Sequence, residues 1–337
     1  MLSFVALATA LPMLTGTAAT GATVTSAVVS APVSGGEGQL GHGLDARPTD
    51  PGSYVTTRPG RGRFPLVERG RAAPVVVGTD DYPGVVRVVD DLQADLLSVS
   101  GVRPAVFRDT VPAGRTAVIV GTLGHSRLVD RLAEAGKLDV ALIKGKWETS
   151  LQQIVADPLP GVAQALVIAG SDQRGTIYGA YDVSRGIGVS PWSFWDDVQP
   201  AHQDALYVTP GSHSQGTPKV KYRGFFINDE NPSLGRWAPQ YFGPGQAPGF
   251  PNAFNAKFYA QVFETMLRLK ANYLWPAVWG RAFAEDDPAN HAIATKYGVV
   301  MGTSHEAPMM RGIEEWNRHA VAAVRDSTGA ITTPGHD

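Results

Sequence analysis

Cysteine is missing from this sequence altogether. Its absence excludes a disulfide framework, thiolate-held zinc and a cysteine nucleophile. An excess of one charge is missing too: 29 Lys and Arg stand against 31 Asp and Glu, for a formal net charge of −2. That balance leaves no basic footprint for nucleic acid. Charged residues make up 18 % and hydrophobic ones 43 %, the proportions of a globular chain rather than a disordered one. Long apolar runs are scarce as well. The nearest is the opening MLSFVALATALPMLTGTAAT, which Pro12 and Gly16 interrupt and which is short for a membrane span. Its small residues around Ala18 and Ala19 predict a secretory signal over residues 1–22, although no Lys or Arg precedes the apolar run. The expectation is a secreted, extracellular protein with no membrane contact beyond that segment.

Several catalytic signatures are also lacking. There is no Walker lysine, no Gly-x-Ser-x-Gly elbow and no His-Glu-x-x-His. Gly36, Gly38 and Gly41 have the spacing of a dinucleotide loop, but the HGLDARPTDPG that follows cannot open a helix. Neither a cofactor nor a metal is expected.

What is present is an alternation of strand and helix patterns. Residues 23–65 are rich in Gly, Ser, Thr and Pro and read as an irregular lead-in. From Pro74, PVVVG reads as a buried strand. GVVRVVDDLQADLLSVSG then carries a helical stripe of Val85, Val88, Val89, Leu92, Leu96 and Leu97. RPAVFRD, TAVIVG and QALVIAG read as further strands. Ser126 predicts the cap of a helix over RLVDRLAEAG that stops at Gly136. These elements predict a small α/β domain over residues 66–205, followed by a linker over 206–219. The second part, 220–337, has three strands: VKYRGFFIN, ANYLWPAVW and VVMGTS. Each is followed by a loop and a helix, the first helix being capped by Asn255 and the third starting in GIEEWNRHAVAAVR. That pattern predicts the first part, about three β/α units, of a (β/α)8 TIM-type barrel.

In such folds the reactive groups stand at the carboxyl ends of the strands. The first strand here ends in Asn228-Asp229-Glu230, the second in Trp275-Pro276-Ala277-Val278-Trp279 and the third in Thr303-Ser304-His305-Glu306. Adjacent carboxylates at a strand end can hold sugar hydroxyls, carry a proton or orient a water. Their bland alternative is a loop-entry Asp that caps a neighbouring amide. Aromatic faces suit pyranose rings, so Trp192, Trp195, Trp237, Trp275 and Trp279 suit a carbohydrate cleft. Each alone fits core packing better, since Trp is highly buried on average, and at least one of Trp275 and Trp279 is expected in the core. Gly170 to Thr176 follows a strand and opens a helix. Its amides could hold an anion with the help of Arg174, or the turn could dock the two domains. Arg311 is expected to pair with Glu306 or Glu315. Lys146-Trp147-Glu148 carries no assigned role.

YRGFFINDE, LRLKANYLWPAVW, YGVVMGTSHEAPMMR, IKGKWE and VIAGSDQRGTIYGAYDVSRGIGVSPW resemble glycoside hydrolase family 115, the xylan α-1,2-glucuronidases. The resemblance runs from about Phe64 to Trp316 and is densest between Tyr222 and Arg311. It implies an N-terminal α/β domain before a (β/α)8 barrel that carries the active site. It also implies removal of glucuronic acid, or its 4-O-methyl form, from xylan side chains with inversion. The implied partners are glucuronoxylan or glucurono-xylo-oligosaccharides, with a homodimer left open. Asp229 takes a supporting catalytic role under this resemblance. Asn228, Glu230, Arg174, Trp275, Trp279, His305 and Glu306 are expected to bind substrate. The main acid and base are expected beyond Asp337, the chain being read as an N-terminal fragment that is inactive alone. The competing readings are a non-catalytic carbohydrate-binding protein and another exo-glycosidase such as a hexosaminidase.

Overall fold

The structure is a computed structural model that describes residues 53–228, 230–305 and 312–335, with only the backbone of residue 230. The described residues belong to one compact unit. The chain begins with β1 (Val55–Thr56), β2 (Phe64–Glu68), β3 (Arg71–Ala72) and β4 (Val75–Val77). Next come α1 (Pro83–Ser100), β5 (Val106–Arg108), β6 (Gly114–Thr122) and α2 (Arg127–Glu134). β7 (Ser150–Ala156), β8 (Val162–Gly170), α3 (Gln173–Gly186), β9 (Leu206–Val208) and β10 (Ser212–His213) complete the first half.

β4, β5, β6 and β8 run parallel in a six-stranded sheet of order β10-β7-β8-β6-β4-β5, whose other two strands are antiparallel to their neighbours. Its central strands are apolar without interruption because both faces are covered. Val118, Val120, Leu166 and Ile168 enter one core with α1 and α3. Ala117, Ile119, Ala165 and Val167 enter a second with Val129 and Leu132 of α2. Pro83 opens α1, and Gly101 closes it in the left-handed conformation that suits glycine. Asp172 caps α3 by accepting from the Gly175 amide at 2.8 Å.

The structure departs from these expectations at several elements. Val55–Thr56 and Phe64–Glu68 pair with β9 in a sheet of order β1-β9-β2-β3, so part of the irregular lead-in and the start of the linker are ordered. β7 is an additional strand. Its Gln152 is buried because it donates to Ser150 Oγ at 3.0 Å and to the Gly179 carbonyl at 3.3 Å. Ser126 starts α2 but its side chain makes no capping hydrogen bond.

The second half runs β11 (Gly224–Phe226), α4 (Gly235–Phe242), α5 (Ala256–Arg268) and β12 (Tyr273–Trp275). It continues with α6 (Phe283–Asp286), α7 (Ala289–Tyr297), β13 (Val300–Met301) and α8 (Ile313–His319). The last helix is shorter than expected: past His319 comes an exposed hairpin of β14 (Val324–Arg325) and β15 (Ile331–Thr333). β11, β12 and β13 form a parallel sheet in that order. Gly224 has to be glycine, because a Cβ there would sit 1.5 Å from the Tyr273 carbonyl oxygen. Leu274 is buried in the helix layer, which leaves Tyr273 and Trp275 on the other face of the strand. The fold is mixed α/β.

The two halves share α1, α3, α5 and α7 as a helical layer, with Phe263, Met266 and Leu267 in the same core as Leu92 and Tyr181. Ion pairs stitch the layer. Arg268 grips Asp95 at 2.9 and 3.1 Å and lies 4.5 Å over the Tyr181 ring. Arg87 pairs with Asp91 and lies 3.9 Å over the Tyr297 ring. Lys270 meets Asp182 at 2.6 Å.

Candidate active site

The three parallel strands have two ends with different chemistry. At the amino ends stands Glu148, whose side chain is fully buried. Its Oε1 accepts from Arg174 Nε at 2.5 Å and from Asn272 Nδ2 at 2.7 Å, and its Oε2 accepts from an Arg223 guanidinium nitrogen at 2.5 Å. Arg223 directly precedes β11, and Asn272 directly precedes β12. Arg174 also donates to the carbonyl of Gly298, just before β13, at 2.9 Å. One carboxylate of the first half therefore fixes the starts of all three strands.

At the carboxyl ends stand aromatic rings. Phe226 and Trp275 are paired residues whose rings meet edge to face at 5.8 Å. His305, past the end of β13, brings its ring within 5.8 Å of Phe226 and 5.4 Å of Trp279. Its backbone is left-handed (φ 66°), a conformation that costs a non-glycine residue about 1 kcal/mol or more. Trp279 is 47 % exposed. The loop that carries it is held from inside. Arg281 is buried, donates to the Trp279 carbonyl at 3.1 Å, and lies 4.8 Å over Phe254. Asn231, past the end of β11, donates to the same carbonyl at 3.1 Å. Next to these rings lies a cavity of about 400 Å³, lined in part by Tyr273, Trp275, Arg281, His291, Thr303 and Glu315. Trp275 Nε1 donates to the Tyr273 hydroxyl at 3.0 Å, which fixes both rings on the cavity wall. Buried Ser304 lies at the same strand end, and its hydroxyl finds no partner among the described residues.

The structure thus brings Trp275, Trp279 and His305 together at one strand end. Asn228 is exposed just past β11. Neither tryptophan is in the core: Trp275 is half-buried and Trp279 exposed. Arg174 is a correction. It lies at the opposite end of the strands, and its guanidinium is committed to Glu148 and Gly298, so the docking alternative describes it. Asp229, the Glu230 side chain, Glu306 and Arg311 lie outside the described residues. Sequence reasoning missed Phe226, Tyr273, Asn231 and Arg281 at the mouth. Arg281 left a signal, as a lone cation inside the apolar VWGRAFA. Among the described residues no cluster of His, Asp and Glu could hold a metal ion.

Residues 215–331 match Glycosyl hydrolase family 115. A solved family GH115 4-O-methyl-α-glucuronidase, with specificity for decorated arabinogalactans, is similar at 32 % identity and a TM-score of 0.64, over 78 % of this chain and 32 % of that one. The chain spans about a third of that relative's length. A Streptomyces plicatus β-hexosaminidase bound to its product is 14 % identical with a TM-score of 0.42, over 77 % of this chain and 46 % of that one. A family GH20 β-N-acetylhexosaminidase from Streptomyces coelicolor is 12 % identical with a TM-score of 0.39, over 73 % and 43 %. No curated protein matches the chain. The family match, and a 32 % identical structure that covers most of the chain, agree: the chain carries a glycoside hydrolase family 115 domain over residues 215–331 and belongs to that family.

Proposed function

We propose that this chain supplies part of the sugar-binding mouth of an exported α-glucuronidase that releases glucuronic acid, or its 4-O-methyl ether, from xylan side chains. The observation that carries this reading is the meeting of three successive strand ends at Phe226, Trp275, Trp279 and His305. The three strands are taken as the opening of a (β/α)8 barrel, whose carboxyl-end rim is where chemistry sits. The exposed Trp279 ring offers an apolar face to a pyranose. His305 adds a hydrogen-bonding group beside it, and Arg281 and Asn231 hold the loop rigid. An inverting glycosidase needs an acid and a base about 6.5–9.5 Å apart. That pair is assigned to parts of the enzyme outside the described residues, with Asp229 in support and Glu230 and Glu306 as substrate contacts.

The test is to express residues 23–337 and measure two quantities on glucuronoxylan: release of glucuronic acid, and binding of glucurono-xylo-oligosaccharides by calorimetry. Binding without release is the expected result. Trp279→Ala is expected to weaken binding by roughly tenfold, about 1.4 kcal/mol. Substantial turnover by this chain would contradict the placement of the catalytic pair. Equal binding of neutral and acidic oligosaccharides would favour a general carbohydrate-binding role instead.

A further inference from the structure

A second aromatic surface is built on α4. α4 places Trp237 and Tyr241 one turn apart, with rings stacked at 5.2 Å and 23°. Across from them stand Phe194, which meets Tyr241 edge to face at 5.6 Å, and Trp195, 5.9 Å from Trp237. The rings border a cleft of about 540 Å³ that Asp197 and Ser233 also line. Tyr241 is 61 % exposed and Trp237 38 %. The floor is rigid, because Trp195 Nε1 donates to Thr265 Oγ1 on α5 at 2.7 Å and Phe242 packs on Phe258.

We propose that this cleft is a second carbohydrate subsite, one that takes the neutral pyranose main chain of a polysaccharide while the mouth takes its acidic branch. Three features select that occupant. The exposed surface is a few rings wide, whereas a stable protein interface needs about 800 Å² and 20–30 residues a side. Its lining mixes ring faces with a carboxylate and a hydroxyl, which match the apolar faces and equatorial hydroxyls of a sugar rather than a wholly apolar helix. The segment between β11 and the end of α4 also carries Asn231, which is bonded to Trp279 at the mouth, so one excursion of the chain serves both places. This inference rests on the carbohydrate reading above but uses different residues and a different probe.

The experiment titrates the expressed chain with neutral linear hexasaccharides, xylohexaose and a β-linked galactohexaose, and separately with glucuronic acid. Tyr241→Ala is expected to weaken hexasaccharide binding by about fivefold, the scale of one stacked aromatic face, while Tyr241→Phe preserves it. Glucuronic acid binding should not respond to either variant. Hexasaccharide affinity unchanged in Tyr241→Ala overturns the proposal. So does light scattering that shows Tyr241→Ala splitting a dimer with sugar binding intact, since the surface would then belong to a second copy. Loss of glucuronic acid binding in the parent chain, with hexasaccharide binding retained, would instead strike the reading of the mouth and leave this subsite standing.

Discussion

Glu148 shows how much one side chain can organise. A buried carboxylate is tolerable only if its charge is matched and its lone pairs are filled. Here Arg174, Arg223 and Asn272 do both, and Arg223 extends the net through the Lys270 carbonyl at 2.9 Å. Glu148→Gln keeps the shape but leaves two half-buried guanidinium groups without a carboxylate. The expected loss is about 2–3 kcal/mol, read as a lower urea midpoint at an unchanged slope. A second buried carboxyl gives a pH signature. Burial pushes Asp182 above its ordinary range, with Lys270 and Gln215 pulling back, and the same burial pushes the Lys270 ammonium down. The folded chain therefore keeps the Asp182 proton at pH values where the unfolded chain has released it. Its stabilising contribution is complete below about pH 4 and drains away as pH rises through the folded value. Asp182→Asn should flatten that part of the fall in melting temperature as pH rises above about 4; an identical slope in both proteins would refute it. Neither role was legible in the sequence. The partners of Glu148 lie 26, 75 and 124 positions away, so Lys146-Trp147-Glu148 looked like an unremarked loop and Arg174 like an anion ligand.

At the scale of elements, legibility followed the strength of periodicity. The stripe of α1 and the apolar face of α5 could be read directly, because long amphipathic helices repeat their pattern over several turns. β7 could not, since the paired glutamines in LQQIVA break its apolar run and only the fold shows Gln152 satisfied. β1, β9 and β10 are two or three residues long, too short for any period to show. The AVAAVR segment reads as helical because its residues are small and apolar, yet it has no face to bury and leaves α8 as extended, exposed chain that ends in β14. The cap of α5 was legible only in part. Asn255 Oδ1 accepts from the amides of Lys257 and Phe258, as a cap should. Its Nδ2 also donates to the carbonyls of Phe242, Gly243 and Pro244 at 3.0–3.2 Å, tying α4's exit to α5's start. Asn255→Asp is therefore expected to destabilise despite being an equally good cap, since a carboxylate would face three carbonyl oxygens. A loss of about 1–2 kcal/mol by chemical unfolding is expected, and an Asp variant as stable as the parent would show that the donor side is idle.

At the scale of the molecule, the sequence announced two α/β patterns but not how they meet. The meeting is encoded in pairs such as Arg268 with Asp95 and Tyr178 with the Ala271 carbonyl, 173 and 93 positions apart. It places α1 and α3 between two sheets, so that each helix buries one face on the six-stranded sheet and another on α5 or α7. The three-stranded sheet depends on that layer more than the reverse. Its strands are two or three residues long, and their starts are held by Glu148 and Arg174 from the other half. The six-stranded sheet has nine-residue central strands covered on both faces. Residues 220–337 expressed alone should therefore fail to fold: α5 would expose Met266 and Leu267, and Arg268 would lose its buried carboxylate. In the joined chain, amide exchange should be slowest in β6 and β8 and faster by orders of magnitude in β11 and β13, because short strands open locally without global unfolding. A dispersed amide spectrum from isolated 220–337 would show that the strand starts need no outside anchor, and would remove Glu148 from the centre of this architecture.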